Sequence, residues 1–116
     1  MTRLAPGAVT DAAALSVAFE AVPADQVRSG APATRYVELD EAAGRTIGVW
    51  EHTTGVSTDV EADEVFVVLA GDATLEFDDP ALTPIELRPG SIVRLEAGMR
   101  TVWTVRETLR KVYVTG

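Results

Sequence analysis

The chain has one histidine, His52, and no cysteine. Disulfides, thiolate metal sites and Cys nucleophiles are therefore excluded, and sites built from two or three imidazoles mostly fail by arithmetic. Carboxylates are what remain. Asp59, Glu61, Asp63 and Glu64 place four acids within six residues. Such groups can act as general bases or hold hard cations, although a hard cation needs about six oxygens. Taken alone, this stretch reads as a solvated loop leading into a strand. His52 lies beside the turn Thr53-Thr54-Gly55, and an exposed turn histidine is the expectation there, ahead of a metal ligand. Towards the far end Arg110, Lys111 and Tyr113 form a polar group, in which Lys111 and Tyr113 share one strand face opposite Val112 and Val114.

The elements that must position these groups are short and β-prone. From Thr34 onward, runs such as Tyr36–Leu39, Thr46–Trp50, Glu64–Leu69, Thr74–Phe77, Ile85–Leu87, Ile92–Leu95, Val102–Val105 and Lys111–Val114 alternate with Gly, Pro and Asp. Ala70-Gly71-Asp72 reads as a turn between two of them. That pattern predicts an all-β sandwich or barrel. The first 33 residues are Ala-rich and predict a short N-terminal extension. It is either one short helix capped at Thr10 or Asp11, or an edge strand over residues 17–21. Residues 34–116 then form one barrel domain, in keeping with 116 residues in all. In Glu64–Leu69 both faces are apolar after the opening Glu, so the strand should be covered on both sides. The N-terminal segment or a second subunit would supply the outer cover, and a homodimer is expected.

Eighteen acids against ten Lys and Arg give a net charge of -8. Such a chain is repelled by phosphate backbones and anionic membranes, so neither nucleic acid nor a membrane surface is an expected partner. No stretch approaches the ~20 apolar residues of a membrane span. The start lacks a signal-peptide core, which leads to the expectation of a cytoplasmic protein.

Spacing adds something more specific. Glu64 precedes Gly71 by six intervening residues, and Gly90 is followed at fixed intervals by Glu96-Ala97-Gly98 and Thr101. These match the frames of the two cupin motifs. Gly48-Val49-Trp50-Glu51, Asp63-Glu64-Val65, Val68–Gly71, Arg88-Pro89-Gly90, Trp103-Thr104-Val105 and Arg110–Tyr113 resemble a small single-domain branch of that superfamily. That branch is related to ureidoglycine aminohydrolase and the ethanolamine-utilisation cupins. The resemblance spans roughly residues 30 to 115. It implies an antiparallel jelly-roll β-barrel whose mouth, in many relatives, holds a metal on three His and one Glu. Here the Glu position falls on Glu64. The His positions fall on Ser57 and Asp59, or on Thr58 and Val60 with the shorter spacing, and on Thr101. The second motif's Pro is Glu96. A transition-metal site therefore looks degraded, and no cofactor is expected. Asp59, Glu64 and His52 are the residues that would ligate a metal if one bound.

Parity from the motif positions turns Thr101, Trp103 and Val105 inward, together with Glu64, Phe66 and Val68. The lumen should then be an aromatic-walled cup. Candidate ligand-binding residues are Trp50, Phe66, Thr101, Trp103 and Tyr113, with solid core as the alternative for the rings. A carboxylate facing such a lumen must be paired or hydrogen-bonded. If Lys111 and Tyr113 point inward, Lys111 can neutralise Glu64 and Tyr113 can donate to it. Glu64 and Lys111 are thus the candidate catalytic pair, as general base and as anchor for a substrate carboxylate. Arg35 and Arg94 are expected on the surface. Three functions compete: binding of a small organic ligand, a metal-dependent aminohydrolase-like reaction on a small nitrogenous acid, and a non-catalytic dimerisation module. Neither the residues nor the resemblance assigns a reaction.

Overall fold

Strands β1 (Glu20–Ala21), β2 (Val27–Ser29), β3 (Ala33–Ala42), β4 (Arg45–His52), β5 (Gly55–Val60), β6 (Glu64–Phe77), β7 (Ile85–Leu87), β8 (Ile92–Leu95) and β9 (Arg100–Thr115) follow one another along the chain. The computed structural model describes residues 3–16 and 18–116. Every strand pairing in it is antiparallel. Two long strands, β6 and β9, run side by side through the whole molecule. At one end they complete a layer ordered β1-β3-β4-β9-β6-β8. At the other they complete a layer ordered β2-β5-β9-β6-β7. The two layers face each other as a curled antiparallel jelly roll, as the alternating apolar runs predict.

One expected turn is absent, and two runs read as separate strands are one. Ala70-Gly71-Asp72 does not reverse the chain. The register between β6 and β9 slips there, between Val68 and Ala70, Ala70 and Asp72, and Asp72 and Ala73. Gly71, at φ +103, lets the strand bend where an added Cβ would strike the backbone of β9. Residues 106–110 likewise continue β9 instead of separating two strands. Bulges and turns share a residue vocabulary, so composition alone does not distinguish them.

The Ala-rich start does not form the short helix considered above. It makes two turns, at residues 6–7 and 12–14, and at the second the Asp11 carboxylate accepts from the Ala13 N–H at 3.0 Å. The expected edge strand is reduced to β1, paired with β3, and Val17 lies outside the described residues. Ahead of β1 the segment crosses the outer face at Arg110, whose guanidinium donates to the carbonyls of Ala12 and Ala13. Arg110 also pairs with Glu51, and Glu51 with Arg35 at 2.9 Å. Arg35, expected on the surface, is therefore largely enclosed, and its guanidinium lies 4.2 Å from the Phe19 ring centre. Arg94 is exposed as expected. The extension does not bury the outer face of β6 and β8, where Val65 and Ile92 remain 40% and 71% exposed.

The core between the layers contains Phe66, Val68, Ala73, Leu75, Leu87, Leu95, Trp103, Val105, Leu109 and Tyr113. Among the described residues no helix is long and apolar enough to cross a membrane.

Candidate functional site

Register brings the chemistry-bearing side chains together. Across the first layer, Val68, Lys111, Trp50 and Tyr36 are successive partners, as are Phe66, Tyr113, Gly48 and Glu38. Across the second, Asp59 pairs with Thr101 and Ser57 with Trp103. Ser57, Thr101 and Trp103 are buried, so the inward parity is the one that puts Ser57 and Asp59 at the first motif's His positions. Where the layers meet, a cavity of about 300 Å3 opens, lined by Tyr36, Trp50, Glu61, Trp103 and Tyr113 with Lys111 and Glu64.

Lys111 is the centre of this cup. Its side chain is 5% exposed, and Nζ donates to Glu64 Oε1 at 2.6 Å. The same ammonium lies 4.3 Å from the Phe66 ring centre, 4.5 Å from Trp50 and 4.9 Å from Trp103. Each ring face attracts it by the ring quadrupole, which partly replaces the water it has lost. Trp50 and Trp103 are tilted against each other with centres 5.2 Å apart, and Phe66 leans on Trp103 at 6.0 Å. Phe66 and Thr101 thus stand behind the cup wall: Phe66 supports Lys111, and Thr101 supports Glu61.

Tyr113 faces inward as required, yet among the described residues no hydrogen bond joins it to Glu64. It packs over Gly48, where any Cβ would collide with the phenol ring and with the Val37 carbonyl. Burial first, then the charges of Glu38 and other neighbours, pushes its phenol up to about 12. It is therefore an uncharged donor near neutral pH.

The outcome for His52 reverses the expectation. The ring is 1% exposed. The Thr53 carbonyl, 2.5 Å from Nδ1, can only accept, so Nδ1 carries the proton and Nε2 accepts from the Ser57 hydroxyl at 2.8 Å. Burial holds its pKa below the ordinary value despite the Thr53 bond, and Lys111 lowers it further. His52 is an inner-wall spacer rather than a turn residue, because β4 continues through it and its parity matches Trp50.

Glu61 is the member of the site that its surroundings in the sequence hide. It sits in the loop between β5 and β6, outside any strand period. Its backbone is pinned by the opposite turn: Glu61 N–H donates to the Met99 carbonyl at 2.8 Å, and Gly98 N–H donates to the Glu61 carbonyl at 2.9 Å. Oε2 then accepts from Thr101 Oγ1 at 2.5 Å and from Trp103 Nε1 at 3.1 Å. Burial raises its pKa, against the Thr101 bond that lowers it, and nearby Asp59 raises it further. Asp59 itself is exposed at the rim and is raised mainly by partial burial. A raised folded-state pKa means the fold binds the proton more tightly than the unfolded chain. The Glu61 contribution is thus most favourable at low pH and is lost as pH rises from the ordinary carboxylate value through the raised one. Glu61→Gln, which keeps an acceptor for both donors, should therefore gain stability relative to the parent between about pH 4 and about pH 7. Urea unfolding at both ends of that range checks it, and parallel pH profiles would refute it.

The donor set does not fit the metal that the cupin frame implies. Ser57 Oγ is bonded to His52, Thr101 Oγ1 to Glu61, and Glu64 already holds an ammonium. Among the described residues no three His, Cys, Asp or Glu side chains are grouped to hold a metal ion. Hydroxyls are weak ligands, and a divalent cation at Glu64 would meet the charge of Lys111.

No curated protein matches the chain. Solved structures do match in fold. A protein of unknown function from Rhizobium leguminosarum has TM-score 0.63 at 24% identity, over 71% of this chain and 79% of that one. A cupin superfamily protein from Desulfitobacterium hafniense has TM-score 0.57 at 18% identity, over 71% and 75%. The EutQ protein of Clostridium difficile has TM-score 0.62 at 17% identity, over 83% and 79%. The family model described as the EutQ-like cupin domain matches residues 39–113, from β3 to Tyr113 on β9. With the jelly roll, the kept Glu64 and that match together, the chain belongs to the EutQ-like cupin family.

Proposed function

We propose that the chain binds a small organic molecule in the cup between the two layers and that binding needs no metal. One observation carries this reading: a cavity of about 300 Å3 in which ring walls surround converging polar groups, with Lys111 and Glu64 in its lining. Ligand sites start at about this size and have this make-up. The larger groove, about 580 Å3 between β2, β5 and β9, is bounded by exposed Arg28, Glu76, Asp78 and Arg100 and has no such convergence. The open cup speaks against a barrel that is solid core, and the donor set speaks against the metal-dependent aminohydrolase reading.

Trp50 and Trp103 lie in the cup wall and report on it directly. In a metabolite screen, at least one small molecule should change their fluorescence saturably, and chelator should leave the response unaltered. Loss of the response on chelation would return the site to metal chemistry. We further propose that the exposed apolar strip of Val65 and Ile92 is covered by a second copy of the chain. Sedimentation equilibrium would then give twice the chain mass, and a monomer mass would count against the pairing.

A further inference from the structure

The class of molecule that the cup accepts follows from how Lys111 spends its donors. This step rests on the ligand-binding reading above. An ammonium has three N–H donors and no acceptor. Among the described residues, the one hydrogen-bond acceptor that Nζ reaches is Glu64 Oε1. The remaining N–H groups have the faces of Trp50, Phe66 and Trp103 for company, at 4.3 to 4.9 Å from the ring centres. Ring faces attract the charge but give a weaker hydrogen bond than an oxygen does. The side chain is 5% exposed, so bulk water supplies little more. An oxygen on a molecule entering the cup offers these N–H groups a stronger acceptor than a ring face does.

Charge decides what the oxygen is attached to. Glu64 balances Lys111, but Glu61 and Asp59 add two more carboxylates to the lining of the same cup. A carboxylate ligand would meet this surplus of negative charge in a partly desolvated space. An ammonium ligand would be drawn by that surplus but would find the ring faces that an organic cation uses already held by Lys111. An uncharged carbonyl meets neither conflict. We propose that the cup takes an uncharged carbonyl or carboxamide compound, its oxygen accepting from Lys111 Nζ and its body lying against Trp50 and Tyr36. The anchor for a substrate carboxylate expected from sequence is thereby reassigned: Lys111 anchors a neutral oxygen, and Glu64 neutralises Lys111.

Benzamide, benzoate and benzylammonium have nearly the same shape and differ in charge. Isothermal titration of each into the wild-type chain, with chelator present, separates the classes. Benzamide should bind at least about tenfold more tightly than either ion, because benzoate meets the carboxylates of the lining and benzylammonium meets ring faces already occupied by Lys111. The double variant Glu64→Gln/Lys111→Met removes the ammonium together with the carboxylate paired to it, and should lose about tenfold in benzamide affinity. Tighter binding of benzoate or benzylammonium would overturn the charge argument and leave the ligand cup standing. Unchanged benzamide affinity in the double variant would overturn the role of Lys111. No heat and no Trp fluorescence change with any of the three probes would sink the neutral-carbonyl proposal, while a hit elsewhere in the metabolite screen would preserve the cup itself.

Discussion

Lys111→Met lowers the unfolding free energy by about 3–5 kcal/mol, the usual cost of removing one partner of a buried ion pair. Glu64, 12% exposed at its side chain, would be left without its ammonium in a partly desolvated wall. Three cation–ring attractions are lost with the same substitution. Domains of this size are stable by only ~5–15 kcal/mol, so a large part of the total is at stake. Glu64→Gln in the same chain should restore most of the loss, because an amide facing the cup costs far less than an unpaired carboxylate. A double-mutant cycle in urea measures the coupling. A cost below about 1 kcal/mol for Lys111→Met would mean that the pair behaves as a solvated surface bridge, and the picture of an enclosed charge would fail.

The second large effect is at Trp103. Trp103→Ala should cost about 3–5 kcal/mol, since the side chain is 2% exposed and wedged between Phe66 and Trp50. Trp103→Phe keeps a ring for Lys111 and removes the indole N–H that Glu61 accepts, together with part of the ring volume packed against Trp50 and Phe66. Its cost should be about 1–3 kcal/mol, the range for a lost hydrogen bond to a carboxylate. Chemical unfolding of both variants separates packing from hydrogen bonding. Equal costs would mean that the atoms specific to the indole carry the whole effect and that the phenyl ring Phe retains adds nothing.

These two residues also show how far the sequence could be read. The two-residue period of a strand puts Lys111 and Tyr113 on one face, and both do face inward. The motif frame turned Trp103 and Phe66 the same way, correctly. Period arguments work inside strands because the pleat enforces them. They fail where the chain leaves the ladder. Glu61 sits in a loop, and its direction comes from backbone bonds to residues 98 and 99 on another turn. Nothing local in Asp59–Glu64 distinguishes it from its solvated neighbours. His52 was misplaced for a related reason: a neighbouring turn made it look exposed, while β4 extends far enough to bury it. Arg35 was misplaced because its partner Glu51 lies across a strand pair and its cover lies in the N-terminal segment. The bend at Gly71 was legible as punctuation but not as a bulge, because that depends on where β9 runs.

The sharing of β6 and β9 between both layers bears on which parts of the molecule open first. β9 has paired neighbours on both sides over most of its length, and β6 has them towards both of its ends, so neither can detach without undoing both layers at once. Their amides should exchange with solvent only through global unfolding, while those of β1, β2 and the segment ahead of them exchange through cheap local fraying. Glu64, Phe66, Trp103, Lys111 and Tyr113 all lie on the two slow strands. Tyr36 lies on β3, whose outer neighbour is the two-residue β1, and it is 63% exposed. The cup therefore has a floor that keeps its shape throughout the native lifetime and a rim free to move on a faster clock. A ligand would find its polar partners already in place, and differences in residence time among ligands would arise at Tyr36.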